Sequence, residues 1–198
     1  MSPRPDVSVE RKNQILDAAA SVFARSGFSK ARMDDIATES ELSKGTLYWY
    51  FNSKDEIILA MMNRLFEREF ADLEALQHAD GTAIERMEAF TDFLIQDISQ
   101  LLALIPIVYE YLSLSFRDNT IRQTLRDYLR AYLEHLIPII QQGIDQGEFR
   151  QVDASEVSIA IGAIVEGTIL LWVYDSETIQ VEKHIRSSLN LLFDGLLA

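Results

Sequence analysis

Apolar residues in this chain recur at spacings of three and four from end to end, and residues that start and stop helices separate the runs, so the chain is read as all-α. Ile15, Leu16, Ala19, Val22 and Phe23 predict a first helix near residues 9–26, stopped at Gly27. Met33, Ile36 and Ala37 give a short second apolar face, and Ser43 can cap a third helix running to about Phe51. Ser53-Lys54-Asp55-Glu56 is a capping box that opens a long fourth helix through Leu59, Met62, Leu65, Phe66 and Phe70, broken at Asp80-Gly81. A second box, Thr82-Ala83-Ile84-Glu85, opens a fifth helix expected to reach Gln100, and the apolar run 101–116 that follows holds Pro106 and Glu110. A helix over 119–142 is expected to kink or end early at Pro138, and 145–149 reads as a turn. Asp153 with Glu156 caps a helix to Tyr174, and an amphipathic helix over 181–197 closes a fold of about nine helices. No strand pattern and no repeat competes with this reading.

Composition narrows the chemistry. With 198 residues, 48% hydrophobic and 25% charged, the chain has ample core and is not a disordered one. It has no cysteine, and His78, His135 and His184 stand far apart, so neither a metal site nor a cofactor is expected. Met1-Ser2-Pro3-Arg4-Pro5-Asp6 lacks the apolar core of a signal peptide, which points to the cytoplasm. The run 157–174 approaches membrane-spanning length but carries Glu166 in its middle, a charge that costs about 2.5–3.5 kcal/mol on insertion scales. It is read as a core or interface helix rather than a membrane span. Ala160, Ala163 and Gly167 on one of its faces would let a second helix approach closely.

The net charge of −13 is unevenly spread. Residues 1–53 carry seven basic and seven acidic side chains, so the whole deficit lies in 54–198, with eleven basic against 24 acidic. A polyanion would be repelled by the second region while the first can display its cations, which suggests two tasks in two domains, 1–53 and 54–198.

The third helix shows what the first task is. Leu47 and Phe51 lie four apart and can be buried together; at about 100° per residue, Tyr48 and Trp49 then face outward. An exposed Tyr-Trp pair calls for a partner. Ser43 caps the helix, whose exposed amides suit a phosphate, and Lys44 can reach a guanine edge or a phosphate. Gly45 lets the backbone approach a groove, and Thr46 offers a hydroxyl or a methyl to a base. Tyr48 and Tyr50 can donate to phosphates, although Tyr50 can equally pack beside Phe51, and Trp49 suits a thymine methyl or a sugar. Lys54, opening the next helix, adds a cation for phosphate.

Two short helices joined by a tight turn describe a helix-turn-helix. The segment from Ile15 to Leu59 resembles the DNA-binding domain of TetR-type transcriptional regulators, above all in Phe23-Ala24-Arg25-Ser26-Gly27-Phe28, Met33-Asp34-Asp35-Ile36-Ala37 and the run SKGTLYWYFNSKDE that starts at Ser43. It departs from that pattern at Met33, where a threonine is usual, and at Glu41, where a glycine is usual. The resemblance implies an N-terminal three-helix DNA-binding domain, a larger helical domain that binds a small-molecule effector, and a palindromic double-stranded operator. It also implies a homodimer formed by the last two helices, 153–174 and 181–197, and a cavity among the middle helices. Candidate cavity residues are Phe90, Phe93, Tyr109, Glu110, Tyr111, Phe116, Tyr132, Trp172 and Glu166. A buried unpaired carboxylate is costly, so Glu110 and Glu166 are paired, exposed or waiting for a cationic ligand. The expected function is a dimeric repressor released from its operator by an apolar or cationic ligand.

Two other classes fit less of the sequence. An enzyme would want a nucleophilic cysteine, a histidine cluster or a glycine-rich phosphate loop, and the chain has none of them. A helical carrier of apolar molecules without DNA binding accounts for the aromatic middle region but leaves Tyr48 and Trp49 unexplained.

Overall fold

The computed structural model describes residues 7–96 and 98–198. The first six residues, whose composition bears on export, lie outside them, as does Asp97. Nine helices are described: α1 (Val7–Ser26), α2 (Met33–Glu39), α3 (Lys44–Tyr50), α4 (Lys54–Gln77), α5 (Ala83–Gln96), α6 (Ile98–Leu114), α7 (Asn119–Asp145), α8 (Ala154–Tyr174) and α9 (Val181–Leu196). Among the described residues the one β contact is an isolated antiparallel bridge between Phe149 and Leu197, so the all-α reading holds.

Helix is described up to Gln96 and again from Ile98, so the stretch expected to carry the fifth helix to Gln100 is helical among the described residues, and α6 runs through Pro106. Helix α7 runs through Pro138 to Asp145 instead of ending early. A proline lacks the N–H that would bond the carbonyl four residues back, here Glu134. That carbonyl finds a substitute donor, the Gln77 side chain, whose Nε2 lies 3.4 Å from Glu134 O and 3.0 Å from His135 O.

The chain divides into two compact units: residues up to Phe66 with Ala103–Thr124, and Glu67–Leu102 with Leu125–Ala198. The functional division at residue 53 is thus not the division by packing, because the start of α4 belongs with α1–α3. In the first unit Ile15, Ala19, Val22, Ile36, Leu47, Ile57 and Ile58 are fully buried. The ring of Phe23 meets Phe28 edge-on at 5.3 Å, and Arg64 pairs with Asp17 at 2.8 Å.

In the second unit the Thr82 box forms as read: Thr82 Oγ1 accepts from Glu85 N at 3.2 Å and Glu85 Oε2 from Thr82 N at 2.8 Å. These bonds hold the Glu85 carboxyl below the ordinary range, the backbone N–H of Thr82 first among the causes. Glu148 closes the same helix end from a distance in sequence, accepting from Ala83 N at 2.7 Å. Gly143 is required by close approach, since a Cβ there would lie 2.4 Å from the Phe149 ring and 2.7 Å from Ala83 Cβ. Helix α8 starts at Asp153, whose carboxylate accepts from Ser155 N at 2.8 Å and Glu156 N at 3.2 Å.

Candidate nucleic-acid interface

The inner face of α3 is fixed by Leu47, fully buried, and by Phe51 at 6% exposure. The outer face carries Tyr48 at 47% and Trp49 at 84%, with Lys44 and Gly45 also exposed and Thr46 and Tyr50 half-buried. Ser43 caps the helix from extended backbone, its Oγ accepting from Thr46 N at 3.0 Å and lying 2.8 Å from Thr46 Oγ1. The cap therefore holds the hydroxyls of Ser43 and Thr46 together at the exposed N-terminus. Gly45 has no packing reason within the chain: a Cβ there would meet only Ser43 Oγ, at 3.8 Å.

The turn between α2 and α3 is a Schellman motif. Leu42 N donates to Ala37 O at 3.0 Å and Glu41 N to Thr38 O at 3.1 Å. That geometry needs a left-handed residue, and Glu41 supplies it with φ 56° where a glycine would do so without strain. Met33 leads α2 half-buried, and the helix start is secured instead by Asp35, whose Oδ2 accepts from Arg32 N at 3.0 Å.

The two cations assigned to this surface are differently placed. Lys44 Nζ pairs with Asp34 on α2 at 2.6 Å, with both side chains more than half exposed. Such a pair contributes about 0–1 kcal/mol and gives way readily to a phosphate. Lys54 is turned inward, donating to Phe28 O at 2.6 Å and lying 4.6 Å from the centre of the Phe28 ring. It ties α4 to the α1–α2 connection rather than standing free. Ser29 in that connection donates to Glu110 Oε1 on α6 at 2.8 Å, a contact between residues 81 apart that no local pattern signals. Lys30 and Arg32, also exposed beside α2, are cations that reasoning from α3 alone passed over.

The nine candidate cavity residues fall into both units. In the first, Tyr109 and Glu110 are half-buried, Tyr111 is 1% exposed, and Phe116 is 83% exposed. Glu110 is the paired case, through Ser29. Burial pushes the Tyr111 hydroxyl's pKa up, against a smaller lowering by the neighbouring Thr124 hydroxyl, which lies outside good hydrogen-bond geometry. In the second unit Phe90 and Tyr132 are buried, Trp172 is half-buried, and Phe93 and Glu166 are exposed. The Tyr132 hydroxyl donates to Ser158 O at 3.1 Å. Two open concavities, one along α1 and α2 and one along α9, include none of the nine.

Residues 15–61 match the family of bacterial regulatory proteins called tetR, and residues 83–194 match the C-terminal part of BetI-type transcriptional repressors. The HTH-type transcriptional regulator YfiR of Bacillus subtilis, itself uncharacterized, is 34% identical over 75% of this chain and 74% of its own length. Among solved structures, the regulator FadR of Bacillus subtilis in complex with stearoyl-CoA is 25% identical, with a TM-score of 0.74 over 93% of this chain and 98% of that one. A regulator from Saccharomonospora viridis in complex with choline shares the fold at 23% identity, with a TM-score of 0.82 over 96% and 99% of the two chains.

Proposed function

Because this chain belongs to the tetR family of bacterial regulatory proteins, and is thus a transcriptional regulator rather than an enzyme, we propose that it is a homodimeric repressor released from its operator by a small ligand. One observation carries the DNA reading: α3 buries Leu47 and Phe51 while Tyr48 and Trp49 stand in water with Lys44 and Gly45 beside them. Lys44 exchanges Asp34 for a phosphate or a guanine edge, and Thr46 and Trp49 meet base edges and sugars in the major groove. Ser43, Tyr48 and Tyr50 position the helix on the backbone. Lys54 acts from behind, keeping the α1–α2 connection in place through Phe28. One short helix reads few bases, so two copies are needed, with half-sites about 34–36 Å apart. The exposed faces of α8 and α9 are the surfaces proposed to pair them.

The ligand is proposed to be apolar or cationic; the candidates to receive it are Tyr109, Tyr111 and Phe116 with the carboxylate of Glu110 in the first unit, and Phe90, Phe93, Tyr132 and Trp172 in the second. The ligands of the two solved relatives, an acyl-CoA and choline, support both halves of that range. Release needs differential affinity for two conformations; a hundredfold change corresponds to about 2.7 kcal/mol. The protein works in the cytoplasm, where its operator is.

Binding of the chain to DNA from its own promoter, followed by mobility shift, tests the assignment. Lys44→Ala and Tyr48→Ala are each expected to weaken binding at least about tenfold, with the wild-type affinity falling steeply as salt rises. Unchanged binding by both variants rejects the interface, and wild-type binding that ignores salt favours a carrier of apolar molecules instead.

A further inference from the structure

Helix α8 is long and apolar, yet only 28% of its most apolar stretch is buried within the chain. One face packs inward through Val157, Ser158, Ile161, Thr168 and Ile169. The other leaves a seam at alternating spacings of four and three: Ile159, Ala163, Glu166, Leu170 and Val173. Ile159 and Val173 are 47% and 48% exposed, Ala163 and Glu166 are exposed and Leu170 is half-buried. Glu166 lies at the midpoint, seven residues from either end of the seam. Beside it, a Cβ on Gly167 would meet no atom of this chain.

A seam of this kind is complementary to itself run backwards. With a two-fold axis through Glu166, Ile159 faces Val173 of a second copy and the small Ala163 faces the large Leu170. The same operation brings each Glu166 to its own copy. We infer that Glu166 sits on the two-fold axis of the dimer, where the two carboxyl groups share a proton and make association of the subunits proton-dependent; this rests on the reading of α8 and α9 as the dimer surface.

Among the described residues of the same chain, no side chain forms an ion pair or hydrogen bond with Glu166. On α8 itself the only other charged residue is Glu156, ten positions away. On α9, which packs against α8, the charged or titratable groups are Glu182, Lys183, His184, Arg186 and Asp194. Arg186 is held by Asp92 on α5 at 2.7 Å, and His184 Nδ1 lies 2.8 Å from Gln180 O. Lys183 stands two residues into α9, whereas Glu166 stands eight before the end of α8. At 1.5 Å per residue in an antiparallel hairpin they are separated along the axis by about 9 Å. The α9 residues level with Glu166 are Ser187, Asn190 and Leu191, none charged. On α7, Tyr132 reaches α8 at Ser158; of the charged residues near it, Arg130 is paired with Asp127 at 3.6 Å and Glu134 is exposed.

Two carboxylates facing each other among aliphatic side chains cannot both ionise, so one keeps its proton and the pair titrates as a unit. The proton that the facing pair keeps is held more tightly than either carboxyl would hold it alone, so association is favoured at low pH and weakens as pH rises through the range where that proton leaves. Sedimentation of the full chain from pH 5 to 8 should show the dimer dissociation constant rising with pH by up to tenfold per unit. Glu166→Gln should flatten that slope and tighten the dimer at pH 8 by tenfold or more, with Glu166→Leu acting in the same direction. His184→Gln should leave the slope as in the wild type. A weaker dimer in Glu166→Gln would mean that a cation holds the carboxylate, and an unchanged constant would mean that Glu166 is off the axis; either result overturns the inference while the dimer stands. A chain that is monomeric at every pH and on operator DNA removes the dimer reading itself.

Discussion

Trp49 on α3 is 84% exposed, and Ile159, Leu171 and Tyr174 on α8 are 47, 52 and 72% exposed, yet the two helices present this surface in different company. The aromatic pair of α3 stands among a lysine, a hydroxyl cluster and a bare glycine backbone, all donors or points of close approach. The aliphatic seam of α8 offers no donor and a single carboxylate. Exposed apolar area alone therefore says that a partner exists, and the polar atoms around it say which kind. Donors and cations around Trp49 fit a polyanion; their absence around Ile159 fits a second copy of the same seam.

The sharpest break of this comparison compares the two faces of α3. Leu47→Ala should destabilise the protein by about 2–5 kcal/mol, since Leu47 is fully buried and its removal leaves a cavity. Trp49→Ala should change stability by no more than about 0.5 kcal/mol while weakening operator binding at least tenfold. Thermal melts read beside mobility shifts separate the two. A Trp49→Ala variant as unstable as Leu47→Ala would make the tryptophan a core residue, and the distinction between the helices would fall.

Local signals made the DNA-facing half of the molecule legible. Leu47 and Phe51 four apart and the Ser43 cap are patterns of adjacent residues and appear where the spacing puts them, whereas the Ser53 box forms by half: Ser53 Oγ accepts from Glu56 N, but the Glu56 carboxylate accepts from Asn52 N. What escaped depends on contacts between distant residues. Lys54 looks like a free cation in sequence because nothing local shows that Phe28 O is 2.6 Å away, and whether Glu110 is paired, exposed or waiting for a ligand stays open because Ser29 is 81 positions off. Pro138 reads as a kink or an early helix end because the donor that replaces its missing N–H comes from Gln77 on another helix. The cavity candidates share this difficulty: an aromatic residue at helical spacing announces burial, and Phe93 and Phe116 are nevertheless exposed.

A smaller effect sharpens the same comparison at the start of α3. Ser43→Ala should cost about 1 kcal/mol by removing the acceptor for Thr46 N. It should also loosen Thr46, whose hydroxyl lies against Ser43 Oγ, so operator affinity should fall further than stability alone accounts for. Ser43→Asp keeps an acceptor and should restore the melting temperature, but it places a negative charge where phosphate is expected. Restored stability without restored binding would assign the cap and the contact to the same side chain.

The smallest effect concerns the turn that aims α3. Glu41 holds φ 56° at the end of α2, and a side chain in that conformation costs about 1–2 kcal/mol. Glu41→Gly relieves the strain but gives the unfolded chain more freedom, worth about 0.4–1 kcal/mol in the other direction, so the net gain should be about 0.5–1 kcal/mol. The carboxylate also sits at the negative end of α2, an unfavourable position that Glu41→Gln removes without touching the backbone. Comparing the two by chemical denaturation divides strain from charge: a gain confined to Glu41→Gly is strain, and one shared equally by Glu41→Gln is charge. Operator affinity gives a second reading, since either substitution takes a negative charge from a turn proposed to lie beside the operator. If both variants bind DNA as the wild type does, Glu41 points away from the duplex, and its cost to the protein is one of folding alone.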